Sequence, residues 1–132
     1  EEIPIIHHVK TELPVLIWKN AGICRTEAGL EAAIAQVISW RQQLSALKIT
    51  QTLENLLPTE SVNLMVSRGG KQVKYAAETL NLLDIAYLIL KSAAFRQESR
   101  GGHYRRDYPA SLPEWQVHTL IQGDRWWTTS TR

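Results

Sequence analysis

Between Leu80 and Phe95 the only clearly polar residues are Asn81, Asp84, Lys91 and Ser92. Placed at 100° per residue, the apolar side chains cover more than half of a helix's circumference, so this helix must pack on more than one side. That requirement makes it the central member of a helical bundle. A continuous helix from Val73 to Arg100 would be roughly 40 Å long at 1.5 Å per residue. Gly101 and Gly102 follow where a C-terminal cap is wanted.

The segments upstream supply helices for it to pack against. A short first helix is expected from about Leu13 to Asn20, with Pro14 in the first turn, where its missing N–H is not needed, and Gly22 as a left-handed cap. Thr26 can act as N-cap, with Glu27 near the positive end, for a second helix reaching about Leu47. Its apolar face is Leu30, Ala33, Ile34, Val37, Ile38, Leu44 and Leu47, a 3-4 repeat. Residues 1–11 lack such a repeat and read as a lead-in. Residues 48–72 read as a loop-rich insertion. Within it, Leu53, Leu56 and Leu57 suggest a helical turn or two before Pro58, Val62 to Val66 an extended piece, and Ser67, Gly69 and Gly70 a connection. After residue 109, Trp115, Val117, Thr119 and Ile121 alternate with polar or outward positions. Gly123-Asp124 suits a two-residue turn, and Arg125 to Thr131 is rich in β-formers. The expected fold is therefore all-α: one domain over residues 1–132, an antiparallel three-helix bundle over 12–109 resembling a spectrin repeat, and a tail over 110–132 that is irregular or a short β-hairpin.

Composition excludes several classes. Fifteen basic and 13 acidic residues give a net charge of +2, too balanced to argue for nucleic acid or an anionic membrane. No apolar stretch of about 18 residues is present, so no membrane span is expected. The single cysteine, Cys24, cannot form an intrachain disulfide, and nothing points to an oxidising compartment; cytoplasmic location is the expectation. His7 and His8 are adjacent and point in different directions, and no further ligand stands at a metal-site spacing. The chain starts at Glu1 and its one methionine is Met65, which reads as a piece of something longer. Five tryptophans in so small a domain suit a surface covered by a partner.

The chemistry is concentrated in residues 98–109, Glu-Ser-Arg-Gly-Gly-His-Tyr-Arg-Arg-Asp-Tyr-Pro. Arg and Tyr at such density suit a docking surface, since both make directional contacts at modest entropic cost. This stretch, following "NLLDIAYLILKSAAFRQ", resembles the C-terminal helical domain of the succinate dehydrogenase, fumarate reductase and L-aspartate oxidase flavoproteins. Upstream, "IWKNAGICRTEAGLEAAI" is similar to the first two helices of that domain, and "WQVHTL" to the segment after the motif. The likeness spans about residues 12–121, with a gap around 48–72. His-Tyr-Arg-x-Asp-Tyr-Pro is closer to the L-aspartate oxidase branch. Succinate dehydrogenases usually continue with an Arg-Asp-Asp cluster after the proline, where this chain has Ala110-Ser111-Leu112-Pro113.

The resemblance implies a parent enzyme that oxidises L-aspartate to iminoaspartate with FAD, the first step towards quinolinate and NAD, with quinolinate synthase as a functional partner. It implies that this piece binds no FAD and carries no catalytic residue, because the family's reactive Arg and His residues lie in the flavin-binding and capping domains. The expected role of Glu98, Ser99, Arg100, Gly101, His103, Arg105, Asp107 and Tyr108 is then an interdomain contact. The alternatives are that these residues only cap the long helix and brace their own loop, or that they touch substrate or flavin directly. A succinate dehydrogenase or fumarate reductase flavoprotein is the second choice of parent. Phosphate and base stacking by Arg96, Arg100, Arg105, Arg106, Tyr104 and Tyr108 is a rival reading that Glu98 and Asp107 dilute. A free-standing helical interaction module is another. No Gly-x-Gly-x-x-Gly or Walker sequence occurs. Cys24 has no base placed near it and reads as a packed thiol, and His118 as a structural residue.

Overall fold

The computed structural model describes residues 2–55 and 70–130. In chain order these form α1 (Ile3–Ala21), α2 (Glu27–Ser45), α3 (Lys48–Glu54), α4 (Gly70–Phe95), a 3-10 turn (Pro113–Trp115), β1 (Val117–Gln122) and β2 (Arg125–Ser130). The protein is mostly helical, with a two-stranded antiparallel hairpin at its C-terminal end. Helices α1, α2 and α4 each pack on the other two, and the short α3 lies against α2 and α4. None of the described helices is long and apolar enough to cross a membrane.

Spacing explains which faces turn inward. Ile6, Val9 and Leu13 of α1, Leu30, Ala33, Val37, Trp40 and Leu44 of α2, and Leu80, Leu83, Ala86 and Leu90 of α4 fall at helical repeats of three and four and are all buried. Each large aliphatic among them contributes about 1.5–3 kcal/mol of transfer free energy. Trp40, absent from the expected apolar face, falls on the same 3-4 repeat and belongs to this core, while Ile38 of the expected face stays exposed.

Three expectations need correction. The first helix begins at Ile3, not near Leu13: Pro4 occupies the first turn and Pro14 lies inside the helix. The residues expected to be a lead-in therefore carry Ile6 and Val9 into the core. Gly22 is not left-handed (φ −69°); glycine is required there because a Cβ would run into the Trp18 carbonyl. The long helix ends at Phe95 rather than Arg100, and Gly101, with φ +57°, serves a separate tight turn instead of a helix cap.

Other expectations agree. The Thr26 hydroxyl accepts from Gly29 N–H at 3.2 Å and starts α2. A short helix stands at Lys48–Glu54 and takes in Leu53 of the expected turn, while the expectations for Leu56, Leu57, Pro58, Val62 to Val66, Ser67 and Gly69 lie outside the described residues. The tail pairs as a hairpin, Gln122 opposite Arg125, with Gly123 at φ +57° in the turn. Side chains hold it to α4. Trp126 Nε1 donates to Ser92 Oγ (3.1 Å), and its ring meets Tyr87 edge-on at 6.1 Å.

Candidate functional site

Past Phe95 the chain folds back on the end of α4 as a knot of polar groups. A helix end leaves its last carbonyls without intrahelical donors. Here the Arg105 guanidinium supplies them: Nη1 donates to the Ala93 and Ala94 carbonyls at 3.0 and 3.1 Å. Its other edge is bidentate on Asp107, Nε to Oδ1 at 2.8 Å and Nη2 to Oδ2 at 2.7 Å. The guanidinium also stands over the Tyr108 ring, 4.9 Å from its centroid. Arg105 is fully buried, which is tolerable only because a charge partner and acceptors surround it.

Asp107 in turn reaches the start of α2, where its Oδ2 accepts from Glu27 N–H at 2.9 Å. A carboxylate at a helix N-terminus meets unpaired amides and the positive end of the dipole. Its carboxyl is held at about 2, first by Arg105 and then by the Glu27 amide, against the opposing pull of burial. One arginine–aspartate pair thus joins the C-terminus of α4 to the N-terminus of α2.

Glu98 forms a second centre, also fully buried. Arg96 Nε and Arg100 Nε both donate to Oε1 at 2.9 Å, and Arg100 Nη2 and Leu112 N–H donate to Oε2 at 3.1 Å. Burial pushes this carboxyl up, but Arg100, the Leu112 amide and Arg96 outweigh it and hold it at about 2. Arg96 extends the centre to the hairpin, donating to the carbonyls of Trp115 and Val117. Between the two centres, Ser99 Oγ accepts from Arg105 N–H (2.9 Å) and donates to the Tyr108 carbonyl (2.8 Å). Gly101 lets the chain reverse between Arg100 and His103, whose main chains exchange bonds of 2.8 and 3.0 Å.

His103 links this knot to the α1–α2 corner. Its Nδ1 lies 2.8 Å from Arg25 Nη1 and its Nε2 lies 3.0 Å from the Arg96 carbonyl. A guanidinium only donates, so Nδ1 accepts and Nε2 carries the proton. Burial lowers the imidazole's affinity for a second proton, and the charges of Arg25, Arg105 and Arg96 act the same way, with the Arg96 carbonyl opposing them. The main chain is tied here too: Arg25 N–H donates to the Tyr104 carbonyl (3.0 Å) and Arg106 N–H to the Arg25 carbonyl (2.8 Å).

All eight residues singled out in the sequence therefore lie in one knot. Glu98, Ser99 and Arg105 are buried, His103 and Tyr108 half-buried, and Arg100, Gly101 and Asp107 exposed. Sequence reasoning missed Arg25 and the start of α2 as partners. The one available signal was that Arg25 directly precedes the Thr26 cap inside a stretch already noted for its resemblance. Elsewhere, His7 stacks on Tyr75 and His8 meets Trp40 edge-on, and no group of three potential metal ligands gathers among the described residues. Cys24 is half-buried in the α1–α2 corner. The described residues also offer no parallel strand leading into a helix, the arrangement that presents main-chain amides to a dinucleotide pyrophosphate.

Among the described residues, the polar groups of this helical unit brace helix ends and one another. The family described as fumarate reductase flavoprotein C-term matches residues 10–131, and the chain belongs to that family. It is 55% identical over 119 residues to the L-aspartate oxidase of Nostoc sp., covering 90% of this chain and 21% of that protein. It is 44% identical over 124 residues to the L-aspartate oxidase of Synechocystis sp., covering 94% and 22%. A fumarate reductase (CoM/CoB) polypeptide of Methanothermobacter marburgensis is 30% identical over 115 residues, covering 86% and 18%. The chain thus spans about a fifth of the length of the curated relatives it matches. No solved structure matches it.

Proposed function

We propose that this chain is the C-terminal docking and stabilising domain of an L-aspartate oxidase. The observation that carries the reading is the 55% identity to the Nostoc enzyme across 90% of the chain. The parent polypeptide oxidises L-aspartate to iminoaspartate, with FAD held by its flavin-binding domain. Its product feeds quinolinate formation in the cytoplasm, with quinolinate synthase downstream. The three long helices, α1, α2 and α4, act as an antiparallel three-helix bundle that starts at Ile3 and is closed by the motif loop, supported by the short α1–α2 connection. The bundle is set against the flavin-binding and capping domains through the outer rim of the knot.

In this reading the eight motif residues divide the labour. Glu98, Ser99, Arg105 and Asp107 brace the loop from within, and His103 and Tyr108 fill its half-buried middle. Arg100 and Gly101 lie on the rim that meets the neighbouring domain. The 30% identity to a fumarate reductase polypeptide keeps a fumarate reductase or succinate dehydrogenase flavoprotein as the second reading.

Assay of the full-length polypeptide tests the proposal. It should carry FAD and consume L-aspartate, whereas activity on succinate or fumarate alone would favour the second reading. The isolated 132 residues mixed with FAD and aspartate should neither quench flavin fluorescence nor yield peroxide. Arg100→Ala in the full enzyme should loosen domain association more than it slows turnover; an unchanged melting temperature with a lost rate would reverse that assignment.

A further inference from the structure

Among the described residues, buried and half-buried arginines are paired with carboxylates, with one exception. Arg41 has Glu54 and Asp84, Arg96 and Arg100 share Glu98, and Arg105 has Asp107. Arg25 is the one partly buried arginine among the described residues without a carboxylate within ion-pair distance. Its Nε donates to the Ala21 carbonyl at 3.1 Å and its Nη1 to His103. Its Nη2 makes no hydrogen bond among the described residues. Both partners are neutral, so the positive charge is desolvated without an opposing charge, an arrangement that carries a penalty until one arrives. Burial accordingly weakens proton affinity at Arg25, while carboxylates strengthen it at Arg41, Arg100 and Arg105.

The surroundings of Arg25 say what kind of group would bring that charge. Arg25, His103 and Thr119 line an open cleft of about 420 Å³ whose apolar wall is Leu88, Ile89 and Ala93. Leu88 and Ile89 are 41% and 49% exposed, and the same face of α4 continues to Ile85, 53% exposed. A guanidinium beside an aliphatic wall is complementary to a carboxylate carried on an apolar segment, and water matches only half of that surface.

We infer that the Arg25 cleft receives an Asp or Glu side chain from an apolar segment of the flavin-binding part of the same polypeptide, the carboxylate pairing with Arg25 and the neighbouring aliphatic residues covering Leu88 and Ile89. This rests on the docking reading above and names the surface and the chemistry of its partner. Arg25 then joins three things: the corner after α1, the His103 side of the knot, and the incoming domain. An acid on the far side would be read directly by the loop that caps α4.

The experiment uses the full-length enzyme carrying Arg25→Lys, which keeps the charge and introduces an amine. Treatment with a zero-length carbodiimide, followed by peptide mass spectrometry, should find position 25 joined through an amide to an Asp or Glu outside residues 1–132. Joining only to carboxylates within residues 1–132, or none, would overturn the inference. In a second arm, Arg25→Gln should speed amide exchange in residues 21–27 and 85–93 by about tenfold, as loss of one charge-assisted contact would. Unchanged exchange would overturn it as well. A third arm adds acetate or succinate. If either raises the melting temperature of the parent but not of Arg25→Gln, the cleft serves a small carboxylate and the inference falls. FAD content, read from the visible absorption of the same samples, separates the two claims. Loss of the cross-link with flavin present sinks only this inference, and absence of flavin in the parent sinks the wider reading.

Discussion

The bundle core and the polar knot are two solutions to burying side chains, and they fail differently. In the core, Leu30, Leu44, Leu83 and Leu90 are fully buried among other apolar groups, where volume matters more than identity. In the knot, Arg105 and Glu98 are just as buried, but each is held by named donors and acceptors at fixed angles. Non-directional burial degrades gradually when a side chain shrinks. A directional network loses a partner and leaves the remaining charge stranded in a dry place. The core tells how much stability the fold has, and the knot tells which single loop geometry it accepts.

The sharpest way to break this comparison is Arg105→Ala. It should destabilise the chain by about 3–5 kcal/mol, because Asp107 and the Ala93 and Ala94 carbonyls lose their partner together; urea midpoints would measure it. A loss near that of an ordinary surface arginine would remove the distinction between the two regions. Leu83→Ala should cost about 3 kcal/mol and Leu83→Met less than about 1.5 kcal/mol. Equal costs for both substitutions would mean that shape, and not volume, governs the core.

Acid titration separates the regions further. The Glu98 carboxyl is held at about 2, below its ordinary 4.5. Its stabilising contribution is therefore complete above pH 4.5 and lost as pH falls towards 2. Glu98→Gln should be less stable by about 2 kcal/mol near neutrality, and its stability should fall less steeply over that acid window. A gentler slope is expected from His103, whose proton affinity is lowered in the fold. Neutral His103 stabilises the fold above pH 6.5, and that contribution drains away as pH falls below it. His103→Gln should flatten stability between about pH 6.5 and the acid limb, as thermal melts across pH would record. The smallest effect belongs to Trp126→Phe, which removes the bond to Ser92. It should cost about 1 kcal/mol and free the hairpin while leaving helical circular dichroism unchanged.

How much could be read in advance follows the same division. The helix α2 was legible because a local cap at Thr26 and a 3-4 repeat state it within a few residues. The hairpin was legible from alternation around Gly123-Asp124. The start of α1 was not, because Pro14 imitates a first-turn proline while the true one is Pro4. The end of α4 was placed too late because apolar periodicity carries no mark for a carbonyl capped from a later loop, as Arg105 caps Ala93. The eight motif residues were picked out by composition. Their partners Arg25 and Glu27 were not, since a contact across some eighty positions of chain leaves no trace in local spacing.

The two main-chain bonds between Arg25 and the Tyr104–Arg106 segment bear on the order of events during folding. They close a circuit around α2, α3 and α4, so the entropy of that long loop must be surrendered before either bond can form. Helical contacts with short sequence separation can assemble first, and this clasp snaps shut afterwards. Weakening the clasp should therefore hasten unfolding while scarcely slowing the refolding of the helices, making the clasp a guardian of lifetime more than of speed.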